Sequence, residues 1–319
     1  MAQPQNLLAI IQAVTGELGL VQPTQVIGAT DLQTVQLYNL ANREGDALRR
    51  THNWTAMQTL FTLEVATPTI TTGNVTLNSN TTTSGATATA ELITAGIFVV
   101  SGSQIPASAR ITAVTTASGT MTMDMYATGT ATATTLTFAQ DTYPEPAGFD
   151  RFINRTAWDR TNRWELIGPD SPQTDQWHRS GIVTTGPRRH FRQTGDLSAG
   201  TYRLWPPPQA TDTPFQIAWE YISNFWVQNA SGTNQASFLA DTDVPVLDSQ
   251  AIILGTKWRF AQAKSLPSAA SLQLEYGDYV TQLIARDGGA PTLRAANRWD
   301  NYLLSPWNVA DGNWPGNSP

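Results

Sequence analysis

Three histidines are the first side chains in this sequence that could bind a metal or transfer protons. His52, His178 and His190 are far apart along the chain. None belongs to an HExxH motif or a similar pair, which would place two imidazoles on one helix face. We therefore interpret each as a hydrogen-bonded or exposed histidine, and we expect neither a bound metal nor a cofactor.

Asp241, Asp243 and Asp248 form the second candidate, a carboxylate cluster for metal binding or acid–base chemistry. They precede a segment with helical periodicity, where carboxylates accept hydrogen bonds from free backbone amides and complement the helix dipole. We therefore interpret them as helix caps. The chain also lacks a GKS or GKT phosphate loop and a GxSxG nucleophile motif, so we expect that it is not an enzyme.

The composition of the chain argues against several other functions. Charged residues make up only 14% and the formal net charge is −6, whereas a protein that grips nucleic acid needs clustered Lys and Arg. Cysteine is absent, which excludes disulfides, thiolate chemistry and Cys-ligated zinc. No apolar run approaches the ~18 residues of a membrane span, and the N-terminus lacks the basic start of a signal peptide. We expect a chain made in a cytoplasm without membrane association.

Residues 241–290 are predicted to form a helical hairpin. Apolar residues recur at intervals of three and four in two runs, which indicates two amphipathic helices. Pro267 and Ser268 separate the helices, because proline disfavours helix at the residue before it and serine can cap the next helix. Gly288 and Gly289 mark the end of the second helix. Both apolar stripes need a partner surface that buries them.

Residues 1–64 are predicted to contribute a pair of helices. Apolar residues share one face in each, and Thr30 or Asp31 can cap the second helix. Arg49 and Arg50 suit the negative end of the helix dipole, so we interpret them as helix-terminating residues and not as a ligand site. We expect Trp54 to anchor the core where the chain turns into a strand.

Residues 65–140 differ in composition from the chain on either side. Thr, Ala, Gly and Ser dominate, and the only charged residues are Glu91, Arg110 and Asp124. Short β-favouring runs alternate with turn signals, which predicts a small all-β sandwich inserted into a surface loop of a host domain. A disordered low-complexity linker is the alternative interpretation.

Residues 141–240 are predicted to form the β-rich part of the host domain. Ser171 and Pro172 open a short helix, and Gly195 and Gly200 bracket a hairpin loop. Residues 215–221 alternate between apolar and other residues, which is the period of a strand with one buried face. The segments together predict an α+β fold, in which a helical bundle of the N-terminal helix pair and the C-terminal hairpin accompanies a small β domain and the inserted sandwich.

Residues 291–319 are predicted to be an extended tail whose aromatic residues follow neither a helical nor a strand period. An exposed tryptophan leaves a large apolar surface in water, so the tail must fold back onto its own chain or dock on a partner. We favour the partner, because Trp and Tyr are typical interface anchors. The predicted anchors are Trp299, Tyr302, Leu303, Trp307 and Trp314.

The order of several short motifs resembles that of the head-to-tail adaptor, or connector, proteins of short-tailed bacteriophages, the type that includes tail tubular protein A. The motifs are structural and lie at residues 49–54, 144–150, 168–172, 220–223 and 238–243. The resemblance covers about residues 1–60 and 141–290. Residues 65–140 depart from the minimal family pattern, and through residues 100–107 they resemble the Ig-like β modules of phage structural proteins.

The resemblance implies a structural role at the head–tail interface of a virion that is assembled in the host cytoplasm. The chain would form a homo-oligomeric ring of about twelve copies between the portal protein and the tail nozzle protein. DNA would pass through an acidic lumen without specific binding, since like charges repel. The aromatic tail would dock on the portal. Helices of neighbouring copies would pack through Leu247, Leu254, Trp258, Leu272, Tyr276, Tyr279 and Leu283.

Two alternatives from other classes stay open on the sequence alone. A carbohydrate-binding tail or capsid accessory would act through the module at residues 65–140, and it predicts glycan binding by that module. A cell-wall hydrolase carried by the particle would use Asp241 or Asp243, and it predicts hydrolysis that is lost when either aspartate is changed.

Overall fold

The structure is a computed structural model that describes residues 5–84, 87–180, 188–195, 200–209 and 211–288. In these ranges the chain forms the α-helices α1 (Leu7–Glu17), α2 (Leu32–Thr51), α3 (Thr87–Leu92), α4 (Pro172–Arg179), α5 (Ser249–Ala263) and α6 (Ala269–Arg286). None of these described helices combines the length and the apolar character that crossing a membrane requires.

The described strands form four antiparallel sheets. In chain order they are β1 (Gln58–Val65), β2 (Thr69–Val75), β3 (Thr81–Ser84), β4 (Phe98–Gly102), β5 (Ile111–Thr115), β6 (Thr120–Met123), β7 (Ala131–Gln140), β8 (Thr142–Pro144), β9 (Phe149–Phe152), β10 (Trp158–Asp159), β11 (Trp164–Glu165), β12 (His190–Gly195), β13 (Gly200–Trp205), β14 (Phe215–Ser223), β15 (Val227–Gln228), β16 (Asn234–Gln235) and β17 (Val244–Pro245).

The predicted helical bundle is confirmed, and α5 lies at its centre. Helices α1, α2 and α6 all contact α5, so residues 251–257 of α5 are buried without exception. The predicted apolar stripe includes only some of these buried residues. Ile252 and Ile253 lie outside the stripe, yet they are as inaccessible to solvent as Ala251 and Leu254. The part of α5 that is enclosed by three other helices has no solvent face, so it shows no single stripe.

Most helix ends agree with the predicted start and stop signals, except that Ser268, at the N-cap of α6, makes no side-chain cap hydrogen bond. The Asp31 carboxylate caps α2 by accepting a hydrogen bond from the amide of Thr34 at 2.9 Å, and Ser171 caps α4. Trp54 is buried and donates its indole N–H to the carbonyl oxygen of Leu48 at 2.8 Å. It therefore anchors the end of α2 in the core, as predicted.

Strand β14 is the centre of the host β domain. It pairs with β1 along one edge and with β9 and β10 along the other. The predicted buried face is confirmed, because Phe215, Ile217, Trp219 and Tyr221 are all buried. The opposite face is not uniformly exposed, however, since Ala218 and Ile222 are buried as well. Trp219 stacks on Tyr202 of β13, with ring centroids 4.3 Å apart and planes 1° apart. This stack joins the sheet around β14 to the sheet β12–β13–β8.

Residues 69–140 contain one six-stranded antiparallel sheet with the order β4–β7–β2–β3–β6–β5. The sheet curls into a half-barrel, and its edge strands approach each other at a bridge between Val99 and Arg110. The predicted β module is therefore present, but its strands lie in one curled sheet and not in the two facing sheets of a sandwich. Alternating burial is common to both arrangements, so the sequence pattern does not distinguish them.

The described part of the chain has the α+β architecture that the sequence predicted. The inserted module leaves the host domain after β1 and returns to it at β8, two strands that belong to different host sheets. Its paired strands favour the folded module over the alternative of a disordered linker.

Candidate functional site

The three aspartates before α5 accept hydrogen bonds from backbone amides, but only Asp248 caps the helix, so the predicted cap role is wrong for Asp241 and Asp243, which bind amides of loops. Asp248 caps α5, with its carboxylate 3.1 Å from the amide of Ala251, and this confirms the predicted cap. Asp243 accepts two amides of its own loop at 2.7 and 2.8 Å. Asp241 accepts the amide of Ile27 at 2.7 Å and so fixes the loop before α2. Among the described residues, these three carboxylates do not form a group that could hold a metal ion.

The residues predicted to pack between subunits fall into two groups. Leu247 and Leu254 are buried by their own chain. The partly buried members are Trp258, Leu272, Tyr276, Tyr279 and Leu283. The chain's own helices therefore already cover much of both stripes, and contact with a neighbouring subunit stays a prediction.

Helix α6 lies on the outside of the bundle. Of its 18 residues only Val280 is buried. Leu274 is 71% exposed, and it shares the outer side of the helix with the exposed residues Gly277, Asp278 and Thr281. A Cβ added at Gly277 would meet nothing within 4 Å. Among the described residues nothing covers this side of α6, and small side chains make up most of it.

A groove of about 920 Å³ lies between the end of α2, the loop before α5 and the last turns of α6. Trp54, Leu247 and Leu283 line it, and Gly288 lies at its edge. The tail anchors Trp299, Tyr302, Leu303, Trp307 and Trp314 lie outside the described residues.

His52 is explained by a contact at the end of α6. Its Nε2 atom lies 3.3 Å from the Asp287 carboxylate, which also accepts hydrogen bonds from the amide and the hydroxyl of Thr55 at 2.9 and 2.5 Å. The interpretation of His52 as a histidine with a polar partner is therefore confirmed.

Asp170, His178 and His190 converge between α4 and β12. His178 lies in the last turn of α4, and His190 is the first residue of β12. The amide of Asp170 donates to the carbonyl oxygen of Phe191 at 2.8 Å, which holds the chain before α4 against β12. The interpretation as a hydrogen-bonded or exposed histidine is confirmed for His190, whose Nδ1 lies 3.4 Å from Oδ1 of the Asp170 carboxylate, but it is wrong for His178, which is buried without a hydrogen-bond partner among the described residues. The proximity of the two histidines depends on the docking of α4 on β12, which no local pattern encodes.

One carboxylate oxygen of Asp170 faces both imidazoles of this cluster. It lies 3.2 Å from Nδ1 of His190 and 3.8 Å from Nε2 of His178. The two rings have their centroids 4.3 Å apart. One ligand atom from each side chain lies within 4.8 Å of the other two, and this is the only such group of three in the described part of the chain. The side chains of Asp170, His178 and His190 are only 10%, 7% and 20% exposed.

His178 has two buried ring nitrogens, and neither has a hydrogen-bond partner among the described residues. Its 3.8 Å distance from Asp170 is too long for a hydrogen bond. Burial lowers the pKa of His178, and the adjacent His190 lowers it further. The imidazole is therefore neutral near pH 7 and carries a lone pair that could bind a metal ion.

A buried network of arginines and aspartates fixes α4 beside the cluster. Asp175 accepts hydrogen bonds from Arg179 at 2.9 Å and from Arg192 of β12 at 2.8 Å. Burial by itself raises the pKa of Asp175, but the two arginines outweigh it and bring the pKa below its usual value of 3.8. Asp141 lies 2.6 Å from Arg110 of the inserted module and 3.4 Å from Arg179. The network therefore joins α4, β12 and the module.

Comparison of the chain with protein-family models gives no match, and comparison with curated proteins gives none either. The functional interpretation rests on the sequence motifs and on the geometry described above.

Proposed function

We propose that this protein is a head-to-tail adaptor of a short-tailed bacteriophage, a structural protein without catalytic turnover. In this role about twelve copies form a ring between the portal protein and the tail nozzle protein of the virion. The net charge of −6 is compatible with a lumen through which DNA slides, because like charge disfavours a tight phosphate contact. The motif resemblance supplies this set of partners.

The open side of α6 is the observation that carries the proposal. The inner side of this helix packs on the bundle through Tyr276, Tyr279 and Leu283, whereas Leu274 on the outer side is 71% exposed. Small residues around an exposed leucine allow a second helix to approach closely, as Gly277 illustrates. In a closed ring the outer side of α6 in each subunit would be covered by the bundle of its neighbour, and this contact would be identical at every position in the ring.

Leu274→Asp tests this role of α6. We expect the variant to lose ring assembly with the portal protein, because a carboxylate would be placed in the subunit contact. Its thermal unfolding should match that of the wild type, since a side chain that is 71% exposed contributes little to the fold. Sedimentation velocity and negative-stain imaging measure the assembly.

Leu92→Asp is the matched control. Leu92 is 64% exposed and belongs to α3 of the inserted module, so its substitution should change neither the ring nor the unfolding temperature. If the Leu274→Asp chain assembles rings with the wild-type yield, α6 does not build the ring wall.

The carbohydrate-binding alternative has one observation in its favour. Tyr126 of the inserted module is 65% exposed, and an exposed aromatic ring offers an apolar face on which a sugar ring can stack. Glycan binding that disappears in Tyr126→Ala, together with a wild-type chain that ignores the portal, would favour this alternative over the adaptor.

A further inference from the structure

We propose that Asp170, His178 and His190 bind one divalent transition-metal ion of the Zn²⁺ class, and that the ion fastens α4 to β12. The three residues come from the segment before α4, the last turn of α4 and the start of β12. An ion held by all three would therefore cross-link two elements that are adjacent in space. The inference is independent of the adaptor function.

The buried imidazole of His178 is the first argument. A polar atom that is removed from water without a partner destabilises the folded chain, and both ring nitrogens of His178 are in this position among the described residues. Coordination to a metal ion would satisfy one of them. A histidine that served only to fill space would be replaced by an apolar residue at lower cost.

The distances are the second argument. Zn²⁺ binds nitrogen and oxygen at about 2.0–2.2 Å, so two ligand atoms of a tetrahedral site lie about 3.4 Å apart. The Asp170 oxygen is already 3.2 Å from Nδ1 of His190 and 3.8 Å from Nε2 of His178. All three ligand atoms lie within 4.8 Å of one another. Small rotations of the two imidazole rings would therefore bring them to the spacing of a tetrahedral site.

The donor set selects the class of metal. Two imidazoles and one carboxylate suit Zn²⁺ and Co²⁺, whereas Mg²⁺ and Ca²⁺ prefer sites built from oxygen ligands. Three protein ligands leave the fourth tetrahedral position to water.

The arginines near the cluster all face carboxylates. Arg179 of α4 and Arg192 of β12 are paired with Asp175, and Arg203 of β13 lies 3.9 Å from it. Asp141 faces Arg179 and Arg110. Four arginines therefore face two aspartates in this network, and the carboxylate of Asp170 supplies the negative charge within the cluster itself. The same network holds α4 on β12, which keeps the two histidines together before the metal binds.

Titration of the full chain with zinc chloride tests the proposal. The protein carries no histidine tag, is stripped with a chelator and is followed by calorimetry and thermal unfolding. We expect one ion per chain and a higher unfolding temperature with Zn²⁺, because an ion that binds only the folded chain stabilises it. Mg²⁺ in place of Zn²⁺ should give neither effect. The Co²⁺ form should show the visible absorption of a tetrahedral site.

Variants assign the ion to these residues. His178→Gln and Asp170→Asn each remove one ligand while they keep the side-chain size, and each should weaken zinc binding at least about tenfold. His52→Gln is the matched control, because His52 contacts Asp287 and lies outside the cluster, so this variant should bind as the wild type does. Circular dichroism checks that each variant is folded.

Three results would overturn the proposal. One is a wild-type chain that binds no Zn²⁺, a result that does not depend on how any variant folds. The second is an unchanged zinc affinity in both His178→Gln and Asp170→Asn. The third is an equal loss of affinity in His52→Gln, which would place the ion elsewhere.

Discussion

Two glycines in the helical bundle should respond in opposite ways to the same substitution. Gly255 lies in α5 and Gly277 in α6, and at both positions alanine has the higher helix propensity, by about 1 kcal/mol. A Cβ at Gly255 would lie 2.2 Å from Cδ of Glu44 on α2, whereas a Cβ at Gly277 would meet nothing within 4 Å. The close approach of α2 to α5 therefore requires glycine at position 255.

The expected loss of stability in Gly255→Ala depends on how firmly the side chain of Glu44 is held in place. Its side chain is fully buried, and its carboxylate accepts a hydrogen bond from Arg259 and contacts the Tyr276 hydroxyl. Burial raises the pKa of Glu44, so the group is sensitive to any change in these partners. Overpacking costs about 1–3 kcal/mol, and displacing a buried hydrogen-bonded carboxylate adds to this cost. With about 1–3 kcal/mol for each of these two costs and the propensity gain of about 1 kcal/mol subtracted, Gly255→Ala should destabilise the chain by about 1–5 kcal/mol.

Urea denaturation followed by circular dichroism measures the free energy of unfolding of both variants. We expect Gly277→Ala to stabilise the chain by about 0.5–1 kcal/mol, because it gains propensity without a clash. A Gly255→Ala chain at least as stable as the wild type would refute the tight contact between α2 and α5. A destabilised Gly277→Ala chain would refute the open outer side of α6.

The remaining predictions concern acid stability and the tail. Because the pKa of Asp175 is lowered in the folded chain, its contribution to stability is complete above its usual value of 3.8 and is lost as the pH falls through the lower folded value. Asp175→Asn should therefore lower the unfolding temperature at neutral pH, and the unfolding temperature of this variant should fall less steeply in acid than that of the wild type. The same fall with decreasing pH in both proteins would contradict this prediction. Deletion of residues 295–319 should abolish portal binding and leave thermal unfolding unchanged. Loss of the unfolding transition in that deletion would show that the tail belongs to its own chain's core.

The sequence predicted those parts of the fold that depend on local signals. The apolar spacing of α1, the cap at Asp31 and the buried face of β14 are each encoded within a few neighbouring residues, and each was confirmed. The predicted face of α2 was confirmed only in part, because Val35 is exposed. The cap role of Asp248 was predicted for the same reason. Such signals can be recognised in the sequence without knowledge of the tertiary structure.

The features that the sequence did not reveal depend on contacts between distant segments. Ile252 and Ile253 fall outside the predicted stripe, because α5 is covered by helices from both ends of the chain. The curled sheet of the inserted module depends on the pairing order of its strands, which the runs themselves do not specify. The cluster of Asp170, His178 and His190 arises only when α4 docks on β12.

Imaging of the chain mixed with a portal protein from the same source tests the proposed adaptor role most directly. The account predicts closed rings of about twelve copies that sit coaxially on the portal and accept the tail nozzle protein on their other side. A chain that stays strictly monomeric and binds neither the portal protein nor the tail nozzle protein would contradict it.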